Sequence, residues 1–309
     1  MPRAKARSAL TAAFFALLVL LPRFLGGYAL SVLILCCLWA VLAMSWDFMS
    51  GQTGRENFGH GMFIGTGAYA AAFLNLNAGL APWPCVLAGA ASAVAVALVI
   101  GLPTLRLQGP YFALATLAAA AILQRLTIIF WERTGGEEGL SGLTPIAASP
   151  AAFYSIALAF LAVTAAVLVG LAASPWGILL RAIRGDELAC EASGISTTWH
   201  KIAALAVSAF FAGAGGALYA FFQLQAGPYL FGVPTSLSVI IMSYVGGIGS
   251  VYGAIGGAFV LTALSEGLRR FGEYRLLFHS LVLILILFFL PGGLVAPLWR
   301  RLKGSGAPP

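Results

Sequence analysis

The 309-residue sequence is 61% hydrophobic and only 9% charged, against about 25% charged residues in a soluble domain. Too few charges remain to solvate a globular surface, so the composition excludes a soluble enzyme or binding module and calls for helices that satisfy their own backbone groups in lipid. The 17 Lys and Arg outnumber the 10 Asp and Glu, for a net charge of +7; the basic residues gather in short stretches, a pattern of membrane topology rather than of nucleic-acid binding.

The chain opens with Arg3, Lys5 and Arg7 ahead of an apolar run to Leu21, the layout of a secretory signal, but no small-x-small cleavage site follows and an uncleaved first span is expected. Cut wherever charges and turn residues interrupt, the sequence predicts an all-α, polytopic bundle with ten spans at 8–22, 28–46, 58–76, 82–103, 110–131, 150–173, 202–224, 235–249, 251–267 and 276–296. The whole of 1–309 reads as one transmembrane domain, with a charged loop at 174–201 inside it. The positive-inside bias places Arg3/Lys5/Arg7, the Arg181–Arg184–Lys201 loop and Arg300/Arg301/Lys303 in the cytoplasm, and with them both termini. An even number of predicted crossings separates successive clusters. Arg269, Arg270 and Arg275 fall on the outer side in that arrangement, which keeps an eight-span alternative with re-entrant segments open. Close pairs among the 37 glycines, such as Gly61/Gly65, Gly249/Gly253 and Gly253/Gly257, are expected to let helix backbones approach one another. Cys36, Cys37, Cys85 and Cys190 lack ligand spacing and read as small buried hydrophobes, with neither disulfide nor metal.

Three segments interrupt the hydropathy in ways a plain bundle does not require. From Ser50 to Gly61 the chain is Gly-rich and polar, and a helix beginning near Phe58 is expected to aim free N–H groups back toward the bilayer. Gln52, Asn57 and His60 there either offer hydrogen bonds to a polar solute in a translocation path or face water as an interfacial loop; no Ser, Cys or Asp near His60 in sequence suggests catalysis. From Arg106 to Gly139, Arg125 is expected to snorkel from its helix, Gly135 and Gly136 to stop and turn the chain, and Glu137 and Glu138 to be exposed. In 174–195, Asp186 caps a short helix carrying Glu187 and Glu191 one turn apart, with Gly194 as its left-handed stop. Such a compact charged helix between spans suits docking onto a partner, although a solvated connector reads the same way.

With these segments in view the sequence resembles the LivM-type permease subunits of branched-chain amino acid ABC importers. Gly51-Gln-Thr-Gly54, Phe58-Gly-His-Gly-Met-Phe63 and Gly65-Thr-Gly-Ala-Tyr69 are similar to one family stretch, and Arg106-Leu-Gln-Gly-Pro-Tyr-Phe-Ala-Leu-Ala-Thr-Leu117 and Thr134-Gly-Gly136 to two others. Arg181-Ala-Ile-Arg184 with Asp186, Glu187, Glu191, Ala192 and Gly194-Ile195 is the strongest match, followed by Phe210–Gly213, Gly216–Tyr219 and Gly246–Ser250. The resemblance implies an inner-membrane importer subunit that pairs with a homologous second permease, sits on two cytoplasmic ATPase subunits and takes solute from a periplasmic binding protein. It also implies that Arg181, Arg184, Asp186, Glu187, Glu191 and Gly194 form the coupling helix toward the ATPase. Ala121 and Gln124 replace charges usual in the family, Leu290-Pro-Gly-Gly-Leu294 lacks the charges of its closing motif, and Gln52 stands where an aromatic is commoner. These departures leave urea, short amides or other small carboxylates as alternative solutes.

The expected function is therefore transport without chemistry of its own. The sequence contains no GxxxxGK[ST], so no cofactor is expected in this chain and ATP is expected on partner subunits. An ion-coupled secondary transporter, the remoter alternative, needs buried acids, whereas nearly all acids here, Asp47 included, are expected at membrane edges or in loops; Glu266, near a helix end, is the one candidate. An intramembrane enzyme needs clustered catalytic groups, and His60, His200 and His279 are scattered in sequence.

Overall fold

The computed structural model describes residues 17–23, 26–107, 109–268 and 281. The predicted span 276–296, part of 8–22, the terminal basic clusters, the Arg269–Arg275 arginines, His279 and the 290–294 motif lie outside them. Within the described residues the fold is an all-α helical membrane bundle: α1 (Gly27–Thr53), α2 (Gly61–Ala78), α3 (Pro82–Thr104), α4 (Pro110–Ile129), α5 (Trp131–Thr134), α6 (Pro150–Ala173), α7 (Pro175–Gly185), α8 (Glu187–Ala192), α9 (Thr197–Gln223), α10 (Val233–Gly246) and α11 (Val251–Gly267). Two two-residue strands, Leu140–Ser141 and Gln225–Ala226, pair antiparallel, with Leu140 opposite Ala226.

Local chemistry sets many of these boundaries. Proline opens α3, α4, α6 and α7, where its missing N–H is no loss and its fixed φ suits the first turn. Side chains of Ser149, Ser174, Asp186 and Ser250 accept from the N–H groups of Ala152, Gly177, Ala189 and Gly253, capping α6, α7, α8 and α11.

Five helices, α1, α3, α4, α6 and α9, are long and apolar enough to cross a membrane, and the bent pair α10–α11 makes a sixth if it is one span. The sequence treats 235–249 and 251–267 as two spans; in the structure they are two short helices meeting at 114°, a broken span or a re-entrant pair. The physical cause is the Gly-rich run 246–249, where Gly247 and Gly249 take φ of +101° and +80°. Helix α2 occupies the predicted 58–76 segment but, with Asn75 and Asn77 near its end, falls short of the same apolarity.

The core forms around α1 and α9. Helix α9 packs on α3, α2 and α1, while α1 also meets α11, α6, α10 and α7. Small residues carry the closest approaches, as their pairing predicts: a Cβ on Gly67 of α2 would lie 2.1 Å from the Gly213 carbonyl oxygen of α9, and one on Gly216 of α9 would lie 2.2 Å from that of Ile64 in α2. Helices α10 and α11 touch in the same way through Gly246, Gly253 and Gly257. All four cysteines are buried and free.

Candidate functional site

Many polar contacts gather where the C-terminal end of α1, the start of α2, the α7–α8 loop and the α10–α11 break meet. Helix α1 runs two turns past the predicted limit, to Thr53, and Gly54 closes it with φ +72° and an N–H bond to Ser50 at 2.9 Å. Only 54–60 is non-helical, so the predicted irregular loop from Ser50 is shorter than expected. Gly51 lies inside the helix because of crowding rather than backbone freedom: a Cβ there would be 2.7 Å from the Gly249 backbone. Helix α2 begins at Gly61, not near Phe58. Its first N–H does not point free into the membrane but donates to Ser236 Oγ at 2.9 Å.

The three residues expected along a translocation path are all buried. Gln52 donates from Nε2 to the Gly249 carbonyl at 3.2 Å, and its Oε1 accepts from Arg181 at 2.8 Å. Asn57 Oδ1 accepts from Gly59 N–H at 2.9 Å, and the Asn57 carbonyl accepts from the Trp46 indole at 2.6 Å. His60 does have a serine companion, fifteen residues earlier in sequence: Ser45 Oγ lies 3.0 Å from His60 Nε2. That hydroxyl donates to the Leu42 carbonyl at 2.7 Å, so Nε2 carries the proton toward it. Nδ1 makes no hydrogen bond among the described residues. The serine proton is thus held by the backbone and no carboxylate orients the ring, the reverse of what nucleophile activation needs. The pair closes the α1–α2 corner, with Asn57 Nδ2 and His60 Nδ1 left as polar atoms inside it.

Asp47 corrects a second expectation. The longer α1 places it inside the bundle, fully buried, with Oδ1 accepting from Gly249 N–H at 2.6 Å.

Helices α7 and α8 form the short charged loop predicted between spans. Asp186 caps α8 through Ala189 N–H at 2.9 Å, and Gly194, at φ +82°, is the left-handed residue that ends it. Several charges of these two helices are engaged by the bundle, although only Glu187 is part-buried and Arg181, Arg184, Asp186 and Glu191 remain exposed. Glu187 receives Arg55 from the α1–α2 corner at 2.5 Å, Lys201 from α9, and Thr197 Oγ1 at 3.1 Å. The same Thr197 hydroxyl lies 2.6 Å from Glu191 Oε1. Arg184 donates to the Gly51 carbonyl at 2.5 Å, and Arg181 to the Ala172 carbonyl as well as to Gln52. Burial pushes the Glu187 carboxyl up, but hydrogen bonds from Lys201 and Arg55 outweigh it and hold the group below its ordinary value. The outward surface of these helices is mixed: Leu188 is 74% exposed and Ile178 60%, beside the exposed Arg181, Arg184, Asp186 and Glu191.

Between this loop and the start of α4 lies a cavity of about 450 Å³ lined by Gly54, Arg55, Glu56, Pro110, Arg184 and Glu187. Glu56 is fixed there by Tyr244 of α10, whose hydroxyl donates at 2.5 Å. Sequence reasoning passes over Ser45, Arg55, Thr197 and Lys201 as site residues. The legible signal is a lysine at the fourth position after Thr197, within reach of a helix carrying two glutamates one turn apart. Among the described residues no group of three or more His, Cys, Asp or Glu is arranged to hold a metal.

A polar loop bolted onto an apolar bundle is a feature of membrane permeases, and comparison with known proteins identifies which. Residues 28–290 match the model of the branched-chain amino acid transport system / permease component family. The chain belongs to this family. It is 31% identical over 296 residues to the high-affinity branched-chain amino acid transport system permease protein LivM of Salmonella typhimurium strain LT2, covering 86% of this chain and 69% of that protein. It is 29% identical over 327 residues to LivM of Escherichia coli strain K12, covering 96% of this chain and 77% of that one. No solved structure matches significantly. The permease is therefore a multi-pass membrane protein of a transport family, as the motifs from Gly51 to Ser250 imply.

Proposed function

We propose that this permease is the membrane-spanning subunit of an ABC importer in the bacterial inner membrane. It moves a branched-chain amino acid or a similar small polar solute handed over by a periplasmic binding protein. A homologous second permease completes the pathway, and two cytoplasmic ATPase subunits bind the ATP for which this sequence has no phosphate-binding loop. The observation that carries this reading is the α7–α8 module. It is tied into the bundle by Arg181, Arg184, Glu187 and Glu191 while exposing Leu188 and Ile178. A solvated connector has no use for two strongly exposed apolar side chains on a module that its polar groups hold to the bundle; a helix seated in a partner's groove does. The charged residues of this loop thus act as its anchorage, and Gly194 as its stop. Leu188 is the residue that meets the ATPase. Gln52, Asn57 and His60 lie where α1 turns into α2, beside the proposed path.

Three measurements test this. Reporters fused after Arg184 and near Glu137 should read cytoplasmic and periplasmic respectively; external labelling at position 184 refutes the orientation. In proteoliposomes holding the complete complex, uptake of leucine, isoleucine, valine, urea or a short amide should require ATP and the cognate binding protein. Leu188→Asp should release the ATPase during purification without loss of the folded permease. Retention of the ATPase by that variant refutes the docking role.

A further inference from the structure

Gly249, at the centre of the break between α10 and α11, has both backbone polar groups held by α1. Its N–H donates to Asp47 Oδ1 at 2.6 Å, and its carbonyl accepts from Gln52 Nε2 at 3.2 Å. The same α1 turn is also held by α7, through Arg184 on the Gly51 carbonyl at 2.5 Å and Arg181 on Gln52 Oε1 at 2.8 Å, with Arg184 Nη1 itself 3.4 Å from where a Cβ on Gly249 would stand. The Gln52 amide therefore spends its oxygen on α7 and its nitrogen on the break. Gly51 brings the two backbones into contact, since a Cβ there would stand 2.7 Å from Gly249 Cα and 2.8 Å from Asp47 Oδ1. A carboxylate this deeply buried is costly in a membrane helix, and Oδ2 of Asp47 makes no hydrogen bond among the described residues. Packing alone does not call for an acid at this position.

We infer that Asp47 is a positioning residue of the transport step: with Gln52 it fastens the break between α10 and α11 to the α1 turn that α7 grips, so that a displacement of the α7–α8 module is delivered to the bent helix pair. This rests on the ABC-importer reading above. Energetic coupling travels through contiguous hydrogen-bonded contacts and rigid helices, and this route has three short steps through a single helical turn. Its far end is a natural hinge, two short helices at 114° joined through Gly247 and Gly249, both at positive φ. Without the acceptor at position 47, the break would be free to stay behind when α7 moves.

The test uses the complete complex in proteoliposomes, with solute uptake and ATP hydrolysis measured together. Asp47→Ala should lower uptake per ATP hydrolysed by roughly tenfold, a typical coupling factor, while hydrolysis stays within about twofold of wild type. Asp47→Asn keeps an oxygen for the Gly249 N–H and should retain most of the ratio. Gln52→Ala, which cuts the two amide links but leaves Asp47 on the Gly249 N–H and Arg184 on the Gly51 carbonyl, should lower the ratio in the same direction by less, and provides the reading if Asp47→Ala fails to assemble. Spin labels at Val260 on α11 and Leu98 on α3, both exposed, should change separation on nucleotide trapping in wild type but not in Asp47→Ala. A wild-type ratio in both alanine variants, or uptake and hydrolysis falling in equal proportion, overturns the inference and leaves the importer reading standing. Uptake by the wild-type complex that ignores ATP overturns both.

Discussion

Removing the Glu187 carboxylate should release α8 from the bundle. The group holds two cations at once, Arg55 and Lys201, whose side chains are 13% and 2% exposed, while its own is 27% exposed. Taking one partner from a buried ion pair costs about 3–5 kcal/mol because the other charge is stranded; the partial exposure of Glu187 argues for the lower end, about 3 kcal/mol. At 1.36 kcal/mol per factor of ten, that is roughly a hundredfold increase in local opening. Hydrogen exchange reads it directly through amides closed only when α8 is formed, those of Cys190, Ser193 and Ile195, which donate to Asp186, Ala189 and Cys190. Glu187→Gln should accelerate exchange of these amides about a hundredfold while α9 amides beyond its first turns stay protected. Lys201→Met in the same chain should restore most of the protection, because the more deeply buried of the two stranded charges is gone while Arg55, the more exposed one, keeps its bond to the Leu107 carbonyl. Protection within about threefold of wild type in Glu187→Gln, or a double variant whose losses simply add, would refute this account.

Three further outcomes follow from the geometry. Because the Glu187 pKa is depressed in the folded protein, its contribution is present above the ordinary carboxyl value of 4.5 and is lost as pH falls through the lower folded value; exchange of α8 amides relative to their intrinsic rates should be flat from pH 8 to about 5 and rise below it. Gly194→Val should weaken α8 by about 1–2 kcal/mol through left-handed strain alone, since nothing lies within 4 Å of a Cβ at that position; equal protease sensitivity of wild type and variant in 186–197 would count against the strain. Gly67→Ala, which drives a Cβ to 2.1 Å from the Gly213 oxygen, should cost about 1–3 kcal/mol or more and lower the melting temperature in detergent, whereas Gly170→Ala, with open space around it, should not.

Much of this fold is written in periodicity and punctuation. The proline starts of α3, α4 and α6, the Asp186 cap and the Gly194 stop are local features, and each predicted boundary falls within a residue or two of the observed one. The misses arise where long-range contacts decide. Hydropathy ends the first long span at Trp46, but Asp47, Gly51 and Gln52 remain helical because α7 and the α10–α11 break supply their partners from more than 120 residues away. The serine beside His60 is one side of a helical corner that sequence adjacency does not reveal. The partners of Glu187 and Glu191 are equally illegible: their spacing places them on one face of α8, but only the packing of α9 and the α1–α2 corner decides that Thr197, Lys201 and Arg55 reach part-buried Glu187 and that Thr197 also reaches exposed Glu191. For α10 and α11 the cut falls in the right place, but each piece is counted as a span of its own, whereas glycine geometry folds the two into one bent pair.

The glycine contacts between α2, α3 and α9 bear on how this permease can diversify. At these crossings backbone meets backbone, and Gly67, Gly89, Gly213 and Gly216 leave no side chain whose size or rotamer could be altered without forcing the helices apart. A wall built in this way is fixed in shape and nearly silent in chemistry. Any tuning of solute preference is therefore expected not at these crossings but at positions that still carry a side chain: the exposed face of α4, the α1–α2 corner and the bent pair. Sequence divergence within the family should accordingly be concentrated on those surfaces, with the three-helix wall inherited almost unchanged from one solute preference to the next.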